Sequence, residues 1–296
     1  MSNTGLTVII PARHELFLKK TIEEVIGKAK GDIECLAVLD GYDIPEEEVV
    51  KDPRVRYIKR PYHKELTKRH AINDAVKQAS FDHIMALDAH CLLGEGYDTT
   101  LVEDCEDNEV LVLRREKLDA ENWKVYRGEN NELLPVDYEY YMWQLIEKAI
   151  KGDPTGGLHG WRWNERTIAR KDILKDDLLA FQGSQWMLHK SAFYEMGLMQ
   201  TEGWTGWGME SESITFQTRL YGGRVKIDKR NFYAHLYKGH RYGRMYKTPE
   251  GAIHAADLFH FDLFVRKNKK LFFDLIDDFD PIPNWPQNWK QILSNI

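Results

Sequence analysis

The apolar run His83–Leu87 ends in Asp88, and His90 follows with one residue between them. On extended chain, residues two apart project to the same side. A carboxylate and an imidazole at the mouth of a buried strand could therefore face one divalent ion. The plainer alternative is local: an Asp after a strand makes a turn, and a lone His packs or caps it. Two further polar groups follow apolar runs, Pro11–Glu15 (PARHE) and Asp40–Asp43 (DGYD). Three polar strand ends in one sheet favour a ligand site over three unrelated turns.

The elements that would hold these ends alternate. Leu6–Pro11, Ile33–Leu39, Val55–Lys59 and His83–Leu87 are short, continuously apolar strands of the kind buried in parallel sheets. Glu15–Lys30 and Leu66–Ala79 carry helical spacing between them. This is a doubly wound α/β pattern, in which ligands bind beyond the carboxyl ends of the strands. The second half is less regular. Glu109–Arg114 reads as a strand, Tyr138–Ile150 as a helix and Leu158–Asn164 as an aromatic loop. Leu179–His189 reads as a strand broken at Gly183, and Glu210–Tyr221 as a helix closed by Gly222-Gly223. Arg224–Ile227 and Phe232–His235 are expected as short strands and Ala252–Val265 as a helix. A Pro/Trp-rich tail is expected along the surface.

Composition bounds the function. The chain has 296 residues, is 43% hydrophobic and carries a net charge of −6. That gives ample core and argues against wholesale contact with nucleic acid, though not against a local basic patch. Three cysteines, Cys35, Cys91 and Cys105, show no zinc-type spacing, which fits a reducing compartment. The N-terminus has no signal-peptide pattern, and no run approaches about 18 apolar residues, so a soluble, cytoplasmic protein without membrane contact is expected.

The motifs now on the page resemble those of GT-A-fold glycosyltransferases, family-2-like, and in particular of the polypeptide N-acetylgalactosaminyltransferases. VIIPARHE is similar to the first strand and loop of that fold, and LAVLDGYD to the strand whose acidic turn contacts the nucleotide. LDAHC (Leu87–Cys91) resembles the Asp-x-His variant of the metal motif. WGMESESITFQTRLYGG (Trp207–Gly223) resembles the branch's Trp-Gly-Gly-Glu-Asn helix opening with its closing Gly-Gly. FYAHLYK places His235 where the branch has its third metal ligand. AFQGSQWMLHK resembles the glycine-bearing sugar-pocket strand, and Trp161–Trp163 (WRW) its aromatic loop. The resemblance covers roughly Leu6 to Arg244. It implies a Rossmann-like nucleotide-sugar-binding fold with a mostly parallel central sheet flanked by helices. The implied catalytic domain spans 1–245, with a nucleotide-binding half (1–105) and a sugar and acceptor half (106–245); 246–296 packs on it.

The resemblance also implies roles. Asp88, His90 and His235 would hold a divalent cation, with Mn2+ favoured over Mg2+ by the two imidazoles. Pro11, Ala12, Arg13, Glu15, Asp40, Arg69, Asp88, Ala89, Gly183, Trp207, Lys238, Arg241 and Arg244 would contact the donor, Asp40 through uracil or ribose. Glu210 and Glu212 are the catalytic candidates. Inverting members carry a Glu-Asp pair here, whereas this chain has Glu210-Ser211, and a serine is no base unaided. Retention is therefore expected, with Glu210 bonding sugar hydroxyls; Glu212 as substitute base is the inverting alternative. Both acids also suit a helix N-terminus on dipole grounds alone.

Arg224–Lys247 holds eight Lys/Arg and one Asp among five aromatic residues. It is expected to close over the diphosphate as a lid, to meet a polyanionic acceptor, or simply to be a solvated face. The resulting expectation is a metal-dependent transferase of a hexosyl or pentosyl group from a UDP-sugar. Its acceptor would be hydroxymethylated DNA, as in anchorless enzymes of viruses, or otherwise a glycan or peptide, as in bacteria. The competing readings are a nucleotidylyltransferase, discounted because PARHE has no phosphate-loop glycine, and a non-catalytic nucleotide-sugar-binding module.

Overall fold

A computed structural model describes residues 4–62, 68–130, 132–202, 210–242 and 261–296. The first four main strands are β1 (Leu6–Ala12), β2 (Ile33–Asp40), β3 (Val55–Arg60) and β4 (His83–Leu87). They pair in parallel in the order β3-β2-β1-β4. Every residue of β2 and of β4 is buried, which explains their unbroken apolar character. On β3, at the sheet edge, Arg56 and Lys59 are exposed, a charged edge that resists pairing with another chain.

Two helices cover these strands. α1 (Leu18–Lys28) buries Leu18, Thr21, Ile22 and Val25, one stripe at helical spacing. α2 (Lys68–Val76) buries Arg69, Ala71, Ile72, Ala75 and Val76. α1 begins three residues later than its periodicity predicts. His14, with φ 51°, and a turn at Leu16–Phe17 leave Glu15 on the loop. The first two residues of the predicted Leu66–Ala79 helix lie outside the described residues.

Beyond β4 the sheet is mixed rather than mostly parallel. The connection after Asp88–His90 runs into β5 (Cys91–Leu93), α3 (Tyr97–Asp104), β6 (Glu109–Asp119) and β7 (Lys124–Tyr126). Then come β8 (Glu139–Tyr141), α4 (Trp143–Ile150), β9 (Gly160–Arg162), α5 (Asn164–Ala169) and β10 (Lys175–Asp177). β11 (Gln185–His189), α6 (Lys190–Glu195), α7 (Glu210–Leu220), β12 (Arg224–His235) and α8 (Gly239–Tyr242) complete the site-bearing part. β11 inserts antiparallel between β4 and β6, and β12 lies parallel to β6. One sheet therefore runs from β3 through to β10.

Several predicted elements change in the fold. The predicted helix Tyr138–Ile150 opens as β8, because Glu139–Tyr141 pairs antiparallel with β9 in the expected aromatic loop. Only Gln185–His189 of the segment from Leu179 is strand; ahead of it, Gly183 and Ser184 bend the chain. The two short strands expected near Arg224 and Phe232 are one strand, whose register shifts between Asp228 and Phe232. Residues 252–260 of the predicted Ala252–Val265 helix lie outside the described residues, and Phe261–Arg266 is a π-helical turn. The Pro/Trp-rich tail, Pro281–Trp289, lies largely along the surface, with Ile282 and Trp289 anchored in the main core. Helices at Lys269–Asp277 and Trp289–Ser294 flank it and bury Phe272 and Leu293.

Candidate functional site

The parallel strands end where the chemistry collects. Asp88 and His90 sit just past β4, not within a strand, and His235 is the last residue of β12. β5 pairs His235 with Cys91, and the Leu236 amide donates to the His90 carbonyl at 3.2 Å. The sheet thus welds two sites 145 residues apart in sequence. Asp88 Oδ2 lies 3.3 Å from His235 Nε2 and 3.9 Å from His90 Nε2, and the two Nε2 atoms are 3.1 Å apart. Among the described residues this is the one group of three or more His, Cys, Asp or Glu side chains with metal-binding spacing.

The electrostatics suit a cation. Burial alone would raise the Asp88 carboxyl, but Lys68 and the two histidines outweigh it and hold Asp88 well below the usual carboxylate range. Burial lowers His235 to about 4, partly offset by Asp88 and reinforced by His90, so its imidazole is neutral at ordinary pH. A neutral imidazole keeps the lone pair a metal needs.

Lys68, which the sequence reading passed over, organises the carboxylates. Its ammonium donates to Asp88 Oδ1 at 2.7 Å, to the Gly183 carbonyl at 2.9 Å and to Glu210 Oε2 at 3.4 Å. By occupying Oδ1 it turns Oδ2 toward the histidines. Burial would depress the ammonium, yet Asp88 and Glu210 raise its pKa instead and keep it charged. Its partners lie 20 and 142 residues away, so only a Lys at the start of the amphipathic helix was visible beforehand. Gly183 lies against the same group: a Cβ there would stand 3.2 Å from Glu210 Cβ and 3.3 Å from Oε2.

The two helix-opening acids separate. Glu210 reaches Lys68, whereas Glu212 is buried and accepts from Ser211 Oγ at 2.7 Å. Arg69 is also buried. Burial lowers its pKa to about 10 against the opposing pull of Glu210 and Glu212, and its guanidinium donates to the Gln200 carbonyl at 3.4 Å. Its charge lies near Glu210 and Glu212 at the opening of α7.

At the neighbouring strand ends, Arg13 pairs with Asp40, which Arg60 also approaches at 3.5 Å. Arg13 stands over the Tyr62 ring at 5.5 Å, and the His14 and Tyr42 rings lie 4.8 Å apart. Gly41, with φ 77°, permits this turn, since a Cβ would meet Tyr62 Cβ at 2.6 Å. Pro11 is half-buried and Ala12 and Ala89 are buried, so these three offer backbone rather than side chain. Glu15 lies behind the site: its Oε2 is 3.3 Å from His90 Nδ1 and accepts from Lys238 Nζ at 2.5 Å. Burial would raise the Glu15 carboxyl, but His90 and Lys238 lower it. Trp207 and Arg244 lie outside the described residues.

The basic stretch is not a bare cationic face. Arg224 pairs with Asp177 and Asp278, Lys226 with Glu109, and Arg230 with Asp228 and Asp104. Lys229 is buried on the Arg170 carbonyl and the Tyr138 hydroxyl. Lys238 holds Glu15, and the exposed Arg241 pairs with Glu121. Every described cation of the stretch therefore has a partner on the protein.

A mixed sheet whose parallel strand ends gather a carboxylate and two imidazoles defines a GT-A-type glycosyltransferase architecture. The fold matches a solved structure described as GalNAc-T7 with UDP, GalNAc and Mn2+, with a TM-score of 0.67 and 16% identity. The match covers 98% of this chain but 54% of that one, so the chain spans about half the length of the relative. Residues 7–197 match the model of glycosyl transferase family 2, and the chain belongs to that family. No curated protein matches the chain. Among the described residues, no helix is long and apolar enough to cross a membrane.

Proposed function

We propose that this glycosyltransferase moves a sugar from a UDP-sugar to an acceptor hydroxyl with a divalent cation, preferably Mn2+, at Asp88, His90 and His235. The observation that carries this reading is the convergence of Asp88 Oδ2 and two imidazole Nε2 atoms on one point. The donor set fits the ion. One carboxylate oxygen and two imidazole nitrogens suit a borderline metal better than Mg2+. The GalNAc-T7 structure, with UDP and Mn2+ on the same fold, supports the donor class.

The bound cation would neutralise charge developing on the diphosphate leaving group. The chain's own residues do the rest. Lys68 keeps Asp88 anionic and aimed, and presents Glu210 beside it for sugar hydroxyls. Gly183 leaves the room that Glu210 requires. Residues 1–105 would hold the nucleotide and 106–245 the sugar and acceptor. Retention is the favoured outcome, because Ser211 stands where an inverting base would be and Glu212 is turned onto Ser211. The acceptor would be hydroxymethylated DNA or otherwise a glycan or peptide, and transfer to each decides among them.

The test is release of free nucleotide from a panel of UDP-, GDP- and TDP-sugars with Mn2+, using Asp88→Ala as control. Release from a UDP-sugar, lost in the variant, is expected. Release that survives Asp88→Ala would remove the metal from the reading. Silence with every donor, repeated with glycan, peptide and hydroxymethylated-DNA acceptors, would favour the binding module.

A further inference from the structure

We propose that Glu15 is the positioning residue of the metal centre, holding the His90 ring so that Nε2 faces Asp88 and His235. The inference rests on the metal reading above and adds to it a residue that lies behind the ligands. Three observations carry it. First, the chain places Glu15 on a loop when helical spacing would have wound it into α1, and its side chain is only 9% exposed. Second, His90 Nδ1 is buried and has no hydrogen bond of full geometry; the acceptor it faces is Glu15 Oε2 at 3.3 Å. Third, the same Glu15 oxygen accepts from Lys238, three residues beyond His235.

The arrangement has a physical consequence. A ligating imidazole must carry its proton on the nitrogen turned away from the metal. A carboxylate at Nδ1 selects that tautomer, fixes the ring and raises ligand basicity. His235 has no such support: its Nδ1 is buried without a hydrogen-bond partner. The two imidazoles are thus unequal: behind His90 stands a carboxylate, whereas His235 is held by its strand and by Nε2 contacts to Asp88 and His90. Lys238 makes the carboxylate common property. It ties the chain leaving β12 to the residue that orients the ligand after β4. Around it, Tyr242 packs edge-on against Phe17 at 5.4 Å and Arg241 pairs with Glu121, so the same segment is docked at three points.

The experiment compares the full chain with Glu15→Ala, Glu15→Gln and Asp88→Ala. Mn2+ affinity is read from the electron paramagnetic resonance of free Mn2+. The His90 tautomer is read from ring 15N shifts in metal-free protein, a quantity that general loosening of the fold does not select. Glu15→Ala is expected to weaken Mn2+ binding about 10- to 100-fold and to mix the His90 tautomers. Glu15→Gln keeps an acceptor oxygen without the charge; it should hold the tautomer and lose part of the affinity, about threefold to tenfold. If Glu15→Ala does not fold, the affinity of Glu15→Gln decides. Wild-type affinity in the Glu15 variants, with binding lost in Asp88→Ala, overturns the role of Glu15 and leaves the metal site standing. Wild-type affinity in Asp88→Ala overturns the metal reading itself.

Discussion

Removing the Lys68 charge, as in Lys68→Met, tests how the site is balanced before any ligand arrives. The ammonium lies 2.7 Å from Asp88 and 3.4 Å from Glu210. At an effective dielectric of about 20 these contacts represent roughly 6 and 5 kcal/mol of gross attraction. Desolvating the ions opposes this, so the gross figures are not the effect to expect. Removing one member of a largely buried ion cluster costs about 3–5 kcal/mol, because the remaining charges are left uncompensated. For a chain of this size the melting temperature should fall by roughly 6–10 °C, at about 2 °C per kcal/mol. Methionine keeps most of the stem volume, so little of the loss is packing. Added Mn2+ should then stabilise the variant more than the wild type, since the cation returns positive charge to an Asp88 left uncompensated. Melting curves at several Mn2+ concentrations measure both effects. An unchanged melting temperature without metal would refute the compensation argument, and equal Mn2+ stabilisation of both proteins would refute the shared use of Asp88.

Two other outcomes follow from the geometry. Gly183→Ala puts a Cβ 3.2 Å from Glu210 Cβ and should displace that carboxylate by a few tenths of an ångström; a drop of about 10- to 100-fold in kcat/KM is expected, with Mn2+ affinity unchanged. His83 is buried against the His189 ring, centroids 4.1 Å apart, and burial together with His189 lowers its pKa. The native state then binds fewer protons than the unfolded one below about pH 6.5, so this group's stability contribution is full above that pH and is lost as pH falls toward the lowered value. Urea midpoints at pH 7.5 and 5 should differ less in His83→Gln than in the wild type.

The local pieces were legible because local physics writes them into the chain. The runs Leu6–Pro11, Ile33–Leu39 and His83–Leu87 had to be continuously apolar to lie in a sheet covered on both faces, and they fold as strands within a residue of those limits. Asp88 and His90 were visible as a carboxylate and an imidazole after an apolar run, although a bend past β4 rather than extended chain presents them, and Glu210–Tyr221 because a helix closed by Gly222-Gly223 has a local signature. Elements whose type depends on a distant partner were not legible. Glu139–Tyr141 is strand because β9 is there to pair with it, and the surface tail is anchored only where the core receives Ile282 and Trp289.

The sequence by itself determined the parallel strand block, the carboxylate and imidazole at its mouth and, through resemblance, His235 as the residue to look for beside them. The tertiary structure decided which charges meet. Lys68 finds Asp88 and Glu210, Glu15 finds His90 and Lys238, and the basic stretch finds its acids across separations of up to 223 residues. Periodicity and spacing report neighbours along one element. Pairings made where several strands end in one place exist only after the sheet has assembled them.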